Sequence, residues 1–213
     1  WAIAVCTDIC DAPEQYAFLN GAAAVALLVG RDAPLALEQR TTRFSDEWDF
    51  FKPVGRRVMG PVMDGERSKE CYFTCLEACQ RDLAPWVRNH AHHIFHSGGG
   101  PKFVRHAVRR AYEVEGGDGD EADDAFTRRV APSLRLTART GPTHTASVYV
   151  SLAALLTHST PPAFGATIGV FSFGSGAGGT LFALRVRGTV VVNDVDAALD
   201  ARPVHPPHLS LTH

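Results

Sequence analysis

The segment "IFHSGGG", Ile94 to Gly100, puts a histidine where an apolar run stops and a glycine run starts. A short strand that ends at such a point fixes an imidazole on a rigid support, and the glycines after it leave room for a ligand. General acid–base chemistry or polarisation of a carbonyl are the roles such a group could take; a plain loop histidine at a strand end is the other reading. Two further clusters invite a chemical reading. Cys71, Cys75 and Cys79 in "CYFTCLEAC" recur every four residues and would share one helix face. Free cysteine packs as a small hydrophobe, so that face reads as core and not as a metal site. The histidines of "NHAHHIFH" alternate with apolar residues into a strand start, which would aim ligands to opposite sides, so no metal site is expected there either.

Other chemistries find less support. "GSGAGG" has the glycines of a phosphate loop but lies between two strand-like runs, so the helix N-terminus that would hold a pyrophosphate is missing. Its glycines still permit close backbone approach to a ligand. No Gly-x-Ser-x-Gly nucleophile elbow occurs.

These residues need elements to hold them. "WAIAVCTDI" reads as a buried strand and "GAAAVALLVG" as a second, nearly all-apolar one. "FSDEWDFFKP" reads as a loop ending at Pro53, and residues 68 to 87 as a helix capped by Ser68. "HHIFH" is a short strand, and Pro101 opens the helix "PKFVRHAVRRAYE". The stretch 113–125 reads as a solvated acidic linker without structure. "PSLRLTA" is expected as a strand, "TASVYVSLAALLTHS" as a small-residue helix, and "ATIGVFSFGSGAGGTLFALRV" as two strands joined by a glycine-rich turn. Strands apolar on both faces, alternating with helices, predict a layered α/β architecture.

With 213 residues, 45% of them hydrophobic, the chain can bury a sizeable core. A net charge of −2 gives no footprint for nucleic acid, and no apolar run reaches the roughly 18 residues of a membrane span. Neither a nucleic-acid nor a membrane partner is expected. Five cysteines, an odd number with none after Cys79, suggest no disulfide framework and point to an intracellular compartment. A chain that opens on Trp1 inside a strand reads as a piece of something longer.

Five blocks, "GAAAVALLVGRDAPLALE", "WDFFKP", "IFHS", "TASVYVSLAALL" and "IGVFSFGSGAGGTLFALRV", come in the order and with roughly the spacing of the hydroxymethylglutaryl-CoA synthases, members of the thiolase superfamily. The similarity runs from Trp1 to about Val186. It implies an α/β, thiolase-like layered αβαβα fold, here incomplete, with residues 1–53 as the end of the amino-terminal half and 54–213 as the carboxyl-terminal half. The family joins acetyl-CoA to acetoacetyl-CoA: an acetyl group is loaded onto a cysteine, a glutamate promotes loss of a methyl proton, and the carbanion attacks the ketone.

By the same resemblance His96 is the catalytic histidine at the acetoacetyl group. Ser175 and Ser68 match serines on the substrate or CoA path, Asp8 and Asp49 match acidic residues that support the substrate site, and Lys102 matches a lysine that pairs with CoA phosphate. No cofactor is implied, since CoA thioesters are the substrates, and the partners implied are a second copy in a homodimer or a missing amino-terminal half. The compartment implied is cytoplasmic or mitochondrial.

The departures are specific. The family's nucleophilic cysteine and glutamate base fall upstream of Trp1, and Cys6 and Cys10 lie in and just after a strand, not at a helix N-terminus that would activate a thiolate. Where the family has asparagine in a Gly-Asn-Met-Tyr-Thr context, the chain reads Gly141-Pro142-Thr143-His144-Thr145, and proline has neither the amide side chain nor a backbone N–H. His144 is the nearby residue that could substitute. Leu19 stands where the family has threonine. Two functions of different class therefore stand open: the His-bearing portion of a working synthase, or a degenerate relative kept as a structural or interaction subunit. A fatty-acid or polyketide ketoacyl synthase is a weaker third.

Overall fold

A computed structural model describes residues 1–10, 20–51 and 62–202. Strand β1 (Ala2–Cys10) pairs antiparallel with β2 (Gly21–Val29), in register from Ala2 opposite Val29 to Cys10 opposite Gly21. A second sheet runs in the order β3 (Leu35–Phe44), β8 (Gly178–Val186), β7 (Thr167–Gly174), β6 (His92–Phe95). Its β6 and β7 are parallel and its other pairs antiparallel. The short strands β4 (Phe50–Phe51) and β5 (Val62–Met63) pair with each other.

The four-stranded sheet is apolar on both faces, as its composition predicts. Phe95, Phe171 and Leu181 point toward helices α1 (Gly65–Leu83) and α2 (Gly100–Val114), where Cys75, Leu76, Val104 and Val108 complete one core. Their sequence neighbours Ile94, Val170 and Phe182 point the other way, onto Val148, Leu152 and Leu155 of helix α5 (Ser147–Leu156). The opposite side of α5, through Val150 and Ala154, packs on Ala23 and Val25 of β2. A helix wedged between two sheets has no solvent face, which is why "SVYVSLAALL" carries no charge. The order is thus helices, sheet, helix, sheet: four successive layers of the expected thiolase-like αβαβα stack.

The sheets divide the chain differently from the expected boundary after residue 53. Strand β3 pairs with β8 over most of its length, so the chain leaves the first sheet between Gly30 and Leu35. The strand β1 is not buried as expected either: Ile3, Val5 and Ile9 are 69%, 63% and 77% exposed, all on the face turned from α5.

Three local readings are corrected. Helix α1 starts earlier than Ser68 because Asp64 is its cap, accepting the Arg67 amide at 3.0 Å, and it ends at Leu83, short of Val87. The acidic stretch is ordered: Asp118 caps a helix, α3 (Gly119–Ala125), by accepting the Glu121 amide at 2.8 Å. Its Ala122 and Ala125 are buried and its Asp123 pairs with Arg109 at 2.5 Å, while Gly119, Asp120, Glu121 and Asp124 face solvent. "PSLRLTA" is helical, a 3₁₀ turn over Ala131–Leu134 followed by α4 (Thr137–Thr140). There Ser133 donates its hydroxyl to the Val130 carbonyl at 2.8 Å, and the amides of Arg139, Thr140 and Gly141 bond back along the chain. Helix α6 (Val195–Asp200) closes the described chain. No described helix is long and apolar enough to cross a membrane.

Candidate active site

Because β6 and β7 are parallel, His96 just past the end of β6 and Ser175 just past the end of β7 emerge at the same edge of the sheet. Ligand sites in parallel arrangements gather at that carboxyl edge. His96 is held on both backbone sides: its amide donates to the Phe171 carbonyl at 2.9 Å and its carbonyl accepts the Tyr72 hydroxyl at 3.2 Å. The buried Ser97 donates its amide to Ser147 Oγ at 3.1 Å, and the two hydroxyls lie 3.0 Å apart. Burial, and after it the charge of His144, bring the His96 imidazole down to about 4, so the ring is neutral at neutral pH.

Of the glycines after it, Gly99 is the one with no room for a side chain. A Cβ on Gly99 would fall 2.6 Å from Phe103, and one on Gly98 would stand 3.2 Å from His96 Nε2. The chain then turns into α2, whose first turn carries Lys102 in the open. Farther along this helix Arg109 pairs with Asp123, and Arg110 with Glu77 and Glu113; among the described residues Lys102 has no such partner.

A second segment, Gly141 to Thr145, reaches the His96 edge. Gly141 takes φ 74°, and Gly21 lies so close beneath that a Cβ there would fall 2.2 Å from the Pro142 carbonyl. Thr145 donates its hydroxyl to Asp8 Oδ2 at 3.0 Å and its amide to the same oxygen at 3.4 Å. Asp8 is on the α5-facing side of β1, so its role in the geometry is to anchor the His144 segment. Pro142 and Thr143 are buried behind it.

A third piece is the hairpin between β7 and β8. Ser175 is exposed at its tip, while Asp49, expected in a loop at the site, is fully buried and accepts the Gly176 amide at 2.9 Å through Oδ1. The carbonyl of Asp49 accepts the Asp64 amide at 2.9 Å, which brings the start of α1 to this hairpin. Ser68, half-buried in that first stretch of helix, donates its amide to the Asp64 carbonyl at 2.8 Å.

The contacts thus join the His96 segment, through Ser97 and Ser147, with the His144 segment that Thr145 ties to Asp8, and Asp49 with the Ser175 turn and the α1 terminus, whereas Lys102 stands alone on its exposed turn. Leu19 lies outside the described residues. Cys6 is half-buried in β1 beside Tyr149, and no thiolate-activating helix terminus begins at it. The Cys71, Cys75, Cys79 face packs against β8 as expected, and burial pushes the Cys75 thiol up to about 11. In the histidine cluster, His93 is buried with Nε2 3.0 Å from the Val87 carbonyl. Among the described residues no group of three or more His, Cys, Asp or Glu could hold a metal. Tyr72 and Ser147, which fix the His96 backbone, carried no sequence signal, because each sits in a helix whose pattern reports only burial.

A family model described as hydroxymethylglutaryl-coenzyme A synthase C terminal matches residues 113–208. The human mitochondrial hydroxymethylglutaryl-CoA synthase is 31% identical over 87% of this chain and 47% of its own length, and the human cytoplasmic one 29% over 78% and 42%. The chain therefore spans about half the length of the curated relatives it matches. Among solved structures, MvaS in complex with 3-hydroxy-3-methylglutaryl coenzyme A superposes with a TM-score of 0.77 at 25% identity, covering 98% of this chain and 61% of that one. An HMG synthase of the curacin biosynthetic pathway, in complex with a holo donor-ACP, shares the fold at a TM-score of 0.75 and 24% identity, covering 88% of this chain and 48% of that one. Ordered sequence blocks, family model and layered fold agree: the chain belongs to the hydroxymethylglutaryl-CoA synthase family and corresponds to the carboxyl-terminal portion of its thiolase-like fold.

Proposed function

We propose that the chain supplies the His96-bearing part of a site that condenses acetyl-CoA with acetoacetyl-CoA, with the acetyl-carrying cysteine and the glutamate base contributed by an amino-terminal half. The observation that carries this reading is the neutral His96 imidazole, held on both backbone sides at the sheet edge it shares with the Ser175 turn. A neutral ring donates an N–H hydrogen bond; aimed at the acetoacetyl ketone, it stabilises the negative charge that grows on that oxygen as the carbanion adds. Ser175 binds the acyl portion, Ser68 lies on the pantetheine path, and the unpaired Lys102 meets a CoA phosphate. Asp49 and Asp8 act by holding the Ser175 and His144 segments. No cofactor takes part; the thioesters bring their own activation. The compartment proposed is cytoplasmic or mitochondrial.

The apolar outer face of β1 and β2, with Ile3, Val5, Ile9 and Leu28 all more than 60% exposed, supports association with that half or with a second copy of the fold. A second reading, a structural subunit without catalysis, is favoured by Pro142, which removes a donor beside His96. The test is intact mass after exposure to acetyl-CoA, combined with condensation assays of the His96→Ala variant of the complete protein. Acetyl loading that survives the substitution while condensation is lost supports the synthase. Loading by neither this protein nor any companion chain supports the structural subunit.

A further inference from the structure

Helix α6 grips the segment that leads into the candidate site. Asp196 accepts from two guanidiniums at once: Arg135 Nη1 bonds both of its oxygens, and Arg139 Nη1 bonds Oδ1 at 2.8 Å. Arg139 also bonds Asp200, Arg135 donates to Thr157 Oγ1 just past α5 at 2.8 Å, and Arg202 donates to the Arg139 carbonyl at 3.2 Å. Val195 and Leu199 lay the apolar side of α6 on Leu136, Ala146, Val150 and Ala154. The Arg135 bond holds the Asp196 carboxyl below the usual carboxylate range, so it stays charged between two cations that would otherwise repel each other, four residues apart on one helical stretch.

What this clamp holds is α4, and a four-residue helix has almost no stability of its own. The Leu136 carbonyl accepts the Arg139 and Thr140 amides at 2.9 Å, and the Thr137 carbonyl accepts the Gly141 amide at 3.0 Å. Gly141 is fixed at φ 74°, where a Cβ would fall 2.1 Å from the Asn20 carbonyl oxygen. The turn then runs into Thr145, bonded to Asp8, and Ser147, bonded to Ser97. Bonds along one short segment therefore lead from Asp196 to the residue after His96. We infer that Asp196 is a positioning residue of this site: by bridging Arg135 and Arg139 it sets the orientation of α4, and through α4 the placement of the turn over residues 141–147 against the His96 segment. Asp196 acts on the bound acyl group only through that turn. The inference rests on the synthase reading above.

Two measurements on the complete protein test it: calorimetric binding of acetoacetyl-CoA and of free CoA, and amide hydrogen exchange over residues 141–147. Asp196→Asn keeps the shape of the side chain and removes its charge, and Asp196→Glu restores the charge. The expected result for Asp196→Asn is about fivefold weaker binding of acetoacetyl-CoA, unchanged binding of CoA, and faster exchange in 141–147 with β6 as protected as before. Asp196→Glu should recover most of both losses. Unchanged acetoacetyl-CoA affinity in Asp196→Asn would overturn the role of Asp196 and leave the synthase reading standing. Equal losses for the two ligands, with exchange faster in β6 as well, would make Asp196 a general structural residue and also overturn it. A wild-type protein that binds acetoacetyl-CoA no better than CoA would overturn the synthase reading and this inference together.

Discussion

The Asp49 carboxylate accepts the Gly176 amide hydrogen at 2.9 Å across 127 residues of sequence, and so ties a fully buried acid to the turn that carries Ser175. Ser45 and Ala177 exchange two backbone bonds beside it, at 2.7 and 2.9 Å, and Glu47 donates to the Gly176 carbonyl at 2.8 Å. The turn is therefore held by a strand-like zipper whose innermost member is a charge-assisted bond.

Asp49→Ala leaves the half-buried Gly176 amide without its partner, a cost of about 1–2 kcal/mol. The expected outcome is a lower urea midpoint together with weaker acetoacetyl-CoA binding, because the Ser175 turn loosens. Asp49→Asn retains the Oδ1 acceptor and should lose roughly half as much. Equal losses in the two variants would show that the carboxylate charge, and not the bond to Gly176, holds the turn.

Acid should destabilise the fold through His93. Burial pushes its imidazole down to about 3, against about 6.5 for an exposed histidine, so the folded protein keeps it neutral where the unfolded chain would protonate it. Stability from this group is complete above about pH 6.5 and falls as pH drops toward 3, by about 1.4 kcal/mol per pH unit. Burial also lowers His90 and His92, which act in the same direction. Denaturant titrations between pH 7 and pH 4.5 should show this slope, and His93→Gln, which cannot titrate, should flatten it by about one proton.

Gly169 sits in β7 against three rings that support the strand leading to His96. A Cβ there would fall 2.7 Å from Trp86, 2.8 Å from His90 and 2.9 Å from His93. These rings are buried and cannot swing aside, so Gly169→Ala should cost about 1–3 kcal/mol by overpacking. Thermal melts read the loss; a melting temperature unchanged from wild type would mean that the rings repack.

Glu115 closes the acidic stretch onto the same region. Its Oε1 accepts the Gln80 side-chain amide at 2.8 Å and the backbone amides of Trp86 and Val87 at 2.5 and 3.0 Å. Glu115→Ala strands three donors and should destabilise by about 3 kcal/mol or more, whereas a solvated linker residue would lose almost nothing. Chemical denaturation distinguishes the two.

Ile3→Lys with Val5→Lys places charge on the outer face of β1, where both side chains already stand in water. Fold stability should hold within about 0.5 kcal/mol, while self-association or capture of an amino-terminal half weakens sharply. Sedimentation velocity at matched concentrations checks the second part, and an unchanged association constant would remove this face as the contact.

The sequence by itself determined the family and most of the layers. Five apolar and glycine-marked blocks in order identify the fold, and strands apolar on both faces announce a sheet with helices on each side. Pro101 marks the start of α2, the glycines of "GSGAGG" mark the β7–β8 turn, and the Cys71, Cys75, Cys79 spacing marks a buried helix face. Each of these depends on neighbours within a few residues, which is the range over which periodicity and turn chemistry operate.

Tertiary structure alone decided the rest. The acidic stretch 113–125 folds because Ala122 and Ala125 find a core and Asp123 finds Arg109, partners that a composition reading does not contain. The segment "PSLRLTA" alternates like a strand yet is helical, with the Ser133 hydroxyl bonded to the Val130 carbonyl and both Leu134 and Leu136 buried. That Asp49 is buried, that Ser97 bonds to Ser147, and that Thr145 bonds to Asp8 all follow from segments brought together from distant parts of the chain. Pairings of that length are set by how layers stack, and a sequence pattern records which faces are apolar but not which faces meet.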